Sequence, residues 1–173
     1  MDAEAAAVPP GSDGLLFFPY LLGERTLGSA AARGSFTGLT LEHTRGHLAR
    51  AVMEGICFDN QRALELIASS DDAPLRCTGG GARSGLWNQI RADIYDRPVS
   101  VLADREGGIL GAALLAGLGA GWYDNAAEAS EHVVELGQRW TPRPGVAQRY
   151  RDAYATFRSV HDGMDPSWAR WYS

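Results

Sequence analysis

The sequence predicts an α/β layer, a sheet flanked by helices, and three observations carry that prediction. Short apolar runs bounded by Gly or Pro recur at "LLFFPY", "LRCTGGG" and "RPVSVLAD", and runs of that length and punctuation read as strands. Between them, apolar residues return at three- and four-residue steps, the period of a helix with one buried face. From Leu75 onward the order is strand, helix, strand, helix, which builds a layer of both.

The elements follow in order. Residues 1–14, "MDAEAAAVPPGSDG", read as a flexible leader or linker remnant, with the main domain over 15–163 and an aromatic tail over 164–173. "LLFFPYLLGERT" is a strand broken at Pro19, with a polar turn at Gly23–Thr26, and "ARGSFTGLT" holds a second short strand. From Leu41 a long helix is predicted, with Thr40 as N-cap and Leu48, Val52, Ile56, Ala63 and Ile67 on its buried face. Gly46 and Gly55 cost that helix stability, which close packing against a neighbour would justify. "LRCTGGG" reads as a short buried strand. "RSGLWNQIRADIY" is a helix with Leu86, Ile90 and Ile94 on one side, "RPVSVLAD" a strand and "GGILGAALLAGLGAG" a small-residue helix. "NAAEASEHVVEL" and "GVAQRYRDAYATFRSVHDGM" add two helices separated by the linker "RWTPRPG".

Composition narrows the function. The 173 residues are 45% hydrophobic and 21% charged, ordinary values for one soluble globular domain. A net charge of −5 leaves no basic footprint for nucleic acid or an anionic membrane. No apolar run approaches the roughly 20 residues of a membrane helix. All 16 basic residues are Arg, which excludes a Walker-type phosphate loop and Schiff-base chemistry from this chain. Cys57 and Cys77 are far apart, each within an apolar run, so they read as buried thiols in a reducing cytoplasm rather than a disulfide or metal pair.

Three consecutive glycines, Gly79, Gly80 and Gly81, end a strand directly before a helix. Such a turn exposes backbone N–H groups and the positive end of a helix to an anionic or hydroxyl-rich ligand. A dinucleotide-binding turn, with Asp104 as the ribose acid, is one reading, although Ser84 stands where a third glycine or alanine is required. A turn shaped only by helix–sheet packing is another. Either an oxidoreductase using NAD or a stand-alone nucleotide-binding or regulatory module would follow from a ligand-binding turn.

"FFPYLLGERT", "ARGSFTGLTLEHTRGHLARAVMEGICF", "TGGGARSGLWNQIRADIYDRPVSV" and "EGGILGAALLAGLGAGWY" together, in this order, resemble the C-terminal lobe of the FGGY carbohydrate kinases, nearest their xylulokinase branch. The resemblance implies an actin-like, ribonuclease-H-like ATPase fold in which two lobes close around ATP and a sugar. It implies ATP and Mg2+ as cofactors and a pentulose such as D-xylulose as substrate. It places Gly79, Gly80, Gly81 and Ala82 in the turn against which the adenosine lies, with Gly85 where relatives often carry a polar Asn. It makes "EGGILGAALLAG" a close-packed support for that turn and puts Asp93 and Trp87 in the family's "W…ADI" helix, where they read as packing residues, with ligand binding the alternative for Trp87. The catalytic aspartate, the first phosphate loop and nearly all sugar contacts belong to the N-terminal lobe in that family, so this chain would be inactive alone and meet its sugar or polyol through that lobe.

No catalytic or metal-binding residue is therefore expected here. Asp59, Asp93, Asp96, Asp104 and Glu106 have the right chemistry for a general base, but read as surface groups or ion-pair partners. His43 and His47, one helical turn apart, want a third ligand to hold zinc. Ser84 is not a nucleophile elbow. Arg25 in the "GERT" turn either pairs with Glu24 or Glu54 or serves near the phosphates. Trp168, Trp171 and Tyr172 offer a contact surface for another lobe or for a second copy in a homodimer, or pack onto the domain.

Overall fold

The computed structural model describes residues 1–67, 74–103 and 107–172. Helix α1 (Asp2–Ala6) leads to strand β1 (Leu16–Phe18), which pairs antiparallel with β2 (Ser35–Thr37), and then to the long helix α2 (Arg45–Ile67). Strand β3 (Leu75–Cys77), helix α3 (Gly85–Tyr95), strand β4 (Val99–Leu102), helices α4 (Gly107–Gly119) and α5 (Ala126–Val133), strand β5 (Leu136–Trp140) and helix α6 (Val146–Tyr172) complete it. The sheet runs β3-β4-β5, with β3 parallel and β5 antiparallel to β4. A parallel pair needs a crossover, and α3 provides it.

The core lies where α2, α3 and α6 meet β1 and β4. Phe18, Phe58, Ile90, Val99, Tyr150 and Phe157 are all almost fully buried there, and Phe18 stacks on Phe157 with ring centroids 4.5 Å apart. The two helix glycines have the expected reason. A Cβ on Gly55 would sit 2.0 Å from the Phe17 carbonyl oxygen, and one on Gly46 2.7 Å from that of Glu4. Both permit backbone contacts that no side chain could share.

Several expectations need correction. The leader is packed: Ala5 and Val8 are buried against α2, and Arg50 Nη1 donates to the carbonyls of Ala5 (3.2 Å) and Val8 (2.9 Å). Helix α2 starts at Arg45 rather than after Thr40, because Thr40 N–H and Thr44 N–H donate to His43 Nδ1 and His47 Nδ1 and close the preceding turns. The deeply buried face of α2 is Ala49, Met53 and Cys57 with Arg50 and Glu54, whereas Ile56 is half-buried and Ile67 exposed. Leu48 and Val52 instead pack on a smaller cluster of Leu15, Phe17 and Ala51. β3 is half-buried. The helix expected through Leu136 ends at Val133, and β5 follows.

Finally, α6 continues through Pro166 to Tyr172, so residues 164–172 are helix rather than a separate tail. Trp168 packs edge-on against Phe18 and Tyr20, and that burial offsets the hydrogen bond proline cannot make. Trp171 and Tyr172 remain exposed. No described helix is long and apolar enough to cross a membrane.

Candidate functional site

The end of β3, the glycine turn and the start of α3 form the candidate site. Gly79 has φ +80° and ψ −172°, a region essentially restricted to glycine. Gly80 has no such demand. A Cβ on it would meet nothing within 4 Å, and it is exposed together with Thr78 and Gly79. Nothing inside the described fold asks for glycine at position 80. Bare backbone there leaves room for a ligand to lie directly on the chain.

Gly81 differs, because a Cβ would lie 2.9 Å from Arg91 Nη2 and 3.0 Å from Trp87 Cζ3. Ala82 is buried, and its N–H donates to the Gly79 carbonyl at 3.0 Å. Gly79, Gly80, Gly81 and Ala82 thus share one turn, its outer surface at Gly79–Gly80 and its inner surface at Gly81–Ala82. Gly85 stands apart, exposed in the first turn of α3, where its Cβ would make only an ordinary 3.9 Å contact with Trp140.

Ser84 caps α3: its Oγ accepts from Trp87 N–H at 3.0 Å and donates to Asp2 Oδ2 at 2.6 Å. A hydroxyl so engaged is a structural cap. α4 meets the turn at its first residue, where Gly107 N–H donates to Thr78 Oγ1 (3.2 Å). A Cβ on Gly107 would lie 2.4 Å from that oxygen, so among the described residues close packing of α4 on the turn is seen at this glycine. Of the rest of α4, only Gly117 is buried; Ile109 and Leu115, 70% and 71% exposed, face outward with Trp122 beyond them.

The carboxylates are committed elsewhere. Asp93 Oδ2 accepts from Arg143 Nε (3.0 Å) and Nη2 (2.7 Å), and Oδ1 from Arg143 N–H (2.8 Å), so it anchors the loop after β5. Asp59 accepts from the Tyr20 hydroxyl (2.9 Å) and pairs with Arg62 (3.3 Å); burial raises its carboxyl above the usual range. Asp96 closes α3 in a left-handed conformation and pairs with Arg151. Asp104 and Glu106 lie outside the described residues.

Arg25 pairs with neither proposed partner. Glu24 accepts from the backbone N–H groups of Thr26, Leu27 and Ser29, and Glu54 is enclosed by Gly11, Ser12, Arg50 and Tyr150. Arg25 itself is exposed. His43 and His47 accept backbone N–H groups at Nδ1, so each neutral ring carries its proton on Nε2, and His47 Nε2 donates to Asp13 (3.2 Å). Metal at Nε2 would need that proton moved to Nδ1, breaking the backbone bonds. Among the described residues no group of three or more His, Cys, Asp or Glu is arranged to hold a metal.

The residues that sequence reasoning missed are Asn88 and Arg91. Asn88 Nδ2 donates to the Ala82 carbonyl (2.9 Å) and Arg91 Nη1 to the Gly81 carbonyl (3.1 Å). The available signal was the spacing of Trp87 and Arg91, which puts one above the other on a helix. A cavity of about 560 Å³ lies between residues 26–28, α2 and α6, and its guanidinium groups are paired, Arg62 with Asp59 and Arg158 with Glu65.

Comparison with known proteins identifies the class to which this order of strands and helices belongs. The profile described as "FGGY family of carbohydrate kinases, C-terminal domain" matches residues 1–120, and the chain belongs to that family. It is 34% identical over 158 residues to the xylulose kinase of Bacillus subtilis, covering 90% of this chain and 32% of that protein. It is 38% identical over 157 residues to the gluconokinase of the same organism, covering 88% and 30%. The ligand-bound xylulose kinase of Lactobacillus acidophilus superposes with a TM-score of 0.85 at 29% identity, covering 98% of this chain and 35% of that one. The fold is that of the C-terminal part of the actin-like sugar kinases, and the chain spans about a third of the relatives' length. The family match starts at residue 1, in accord with the packed leader.

Proposed function

We propose that this chain is the nucleotide-binding part of a sugar kinase that transfers the γ-phosphoryl group of MgATP to a hydroxyl of a pentulose such as D-xylulose. The carrying observation is Gly80, whose missing side chain no contact in the described fold requires. With Gly79 it offers an exposed backbone shelf that fits a flat base and ribose. Gly81 and Ala82 brace the shelf from below, and Gly85 leaves the approach along α3 uncrowded. MgATP, when bound, supplies the phosphoryl group. Mg2+ coordinates phosphates more readily than it enters all-protein cages, which suits a lobe without a described metal cluster.

Transfer also needs a base for the sugar hydroxyl, donors for the phosphates and closure against water. The described carboxylates considered as bases are engaged in ion pairs, so the chain should be silent alone and complete its site against an N-terminal lobe. The uncovered apolar face of α4, with Ile109 and Leu115, suits such a lobe, since surfaces of that kind mark contacts. The two free thiols favour a reducing, cytoplasmic setting. Gluconate is a second reading of the substrate, favoured by the 38% identity to a gluconokinase.

Calorimetric titration of the chain with MgATP and with NAD tests the ligand. ATP binding with negligible NAD affinity is expected, and the reverse order would overturn the reading. A sugar-dependent ATPase assay should show no turnover until an N-terminal lobe is supplied, after which D-xylulose and gluconate compete as substrates. Robust turnover by the isolated chain would refute the two-lobe requirement.

A further inference from the structure

We infer that Arg91 is a positioning residue for the nucleotide turn, acting through the turn's carbonyl groups rather than on the nucleotide. The inference rests on the nucleotide reading of Gly79–Ala82. Three glycines in succession have more backbone freedom than any other tripeptide, so a turn of this composition must be held from outside if it is to keep one shape. The holding is visible on the α3 side. Arg91 Nη1 donates both to the Gly81 carbonyl (3.1 Å) and to Asn88 Oδ1 (2.7 Å), while Asn88 Nδ2 donates to the Ala82 carbonyl (2.9 Å). Two successive carbonyls are thereby fixed by two side chains that are also bonded to each other.

The bracket is itself anchored. The Arg91 guanidinium carbon lies 4.4 Å over the ring of Trp87, an arrangement that restrains a long side chain. Trp87 Nε1 donates to the Met53 carbonyl on α2 at 3.1 Å. Asn88 is fully buried. The path therefore runs from the core helix α2 through Trp87 to Arg91 and on to the turn. Gly81 is glycine because the turn rests on this layer, and that contact sets the height at which Gly79 and Gly80 present their backbone. When a binding-competent shape is only partly populated, apparent affinity falls by the populated fraction. Losing the bracket should weaken binding without removing any atom that touches the nucleotide.

The test uses the whole chain as wild type, Arg91→Met and Arg91→Lys, each titrated with MgATP by calorimetry. Melting is followed by circular dichroism, and the glycine amides by nitrogen-edited NMR. Arg91→Met keeps the stem over Trp87 and loses the donors. It should bind about tenfold more weakly, melt within a few degrees of wild type and show broadened amides at Gly79–Gly81 in the free chain. Arg91→Lys keeps a donor for the Gly81 carbonyl and should bind within about threefold of wild type. A folded Arg91→Met chain that binds MgATP as wild type does would overturn the inference and leave the nucleotide reading standing. If Arg91→Met does not fold, Arg91→Lys decides. Wild-type glycine amides with affinity within threefold support positioning; wild-type amides with lost affinity mean direct contact and overturn it. A wild-type chain that fails to bind MgATP overturns both readings.

Discussion

Replacing Glu54 with alanine tests whether a buried polar cluster, rather than the apolar core alone, fixes the N-terminal segment onto this fold. Its carboxylate accepts from Gly11 N–H (3.0 Å), Ser12 Oγ (2.8 Å), Arg50 Nε (2.7 Å) and the Tyr150 hydroxyl (2.7 Å). It therefore joins the leader, α2 and α6. The Arg50 and Glu54 side chains are 3% and 2% exposed. Breaking a buried pair by removing one partner costs about 3–5 kcal/mol, because the remaining charge is left uncompensated. Arg50 would keep only the Ala5 and Val8 carbonyls and the Tyr150 oxygen. For a domain whose whole stability is of order 5–15 kcal/mol, that is a large share. With a urea slope of about 2 kcal/mol/M, the midpoint should fall by roughly 2 M. Urea unfolding followed by circular dichroism measures it, with Arg50→Met/Glu54→Leu as companion. Removing both charges should cost less than Glu54→Ala alone. A Glu54→Ala loss under about 1 kcal/mol, or a double variant less stable than the single one, would refute this account of the cluster.

Other outcomes follow from single residues. Gly80→Ala should leave melting unchanged, since its Cβ meets nothing within 4 Å, and should weaken MgATP binding; unchanged affinity would remove the main support for the site. Gly81→Ala should cost about 1–3 kcal/mol in urea unfolding, because the new methyl presses on Arg91 and Trp87. Burial pushes the Glu24 carboxyl up, but backbone N–H groups of Leu27, Ser29 and Thr26 outweigh it and hold it below its ordinary value of 4.5. A lowered folded-state value gives stability that is present above the unfolded value and lost as pH falls through the folded one. The advantage of wild type over Glu24→Gln should therefore shrink below about pH 4.5, and an advantage that grows on acidification would contradict it. Burial pushes the Cys57 thiol up to about 12, so a thiol reagent at neutral pH should modify Cys57 only on unfolding; rapid labelling of the native chain at Cys57 would show that helix α2 opens there.

The segment from Leu75 to Leu102 was legible because its signals are local. Apolar runs, three glycines and a helical period with a Ser before it specify strand, turn, helix and strand without reference to the rest of the chain. The long helix was legible as a helix but not as to its face. Arg50 and Glu54 satisfy each other inside the core, so the hydrophobic pattern skips the deepest positions and points to Leu48, Val52 and Ile56. β5 carried no alternation to read, since Leu136, Gly137, Gln138 and Arg139 are all exposed on the sheet edge. The run through Pro166 depends on Trp168 meeting Phe18 and Tyr20, a contact between residues about 150 positions apart that no window can contain. The site divides in the same way. Gly79–Gly81 could be read as a turn, whereas the bonds from Asn88 and Arg91 to its carbonyls exist only once α3 is folded beside it.

Small-molecule sites usually bury most of their ligand's surface, yet Thr78, Gly79 and Gly80 lie exposed on one side of the sheet. On the proposed reading this shelf would set the position of a nucleotide while supplying little enclosure. The same end of the molecule carries α4, an apolar helix with Ile109 and Leu115 turned outward, which touches the turn through Gly107 and Thr78. A second body packed on α4 would cover apolar surface and roof the shelf in one movement. On the proposed reading, binding of that body and enclosure of the nucleotide would favour each other.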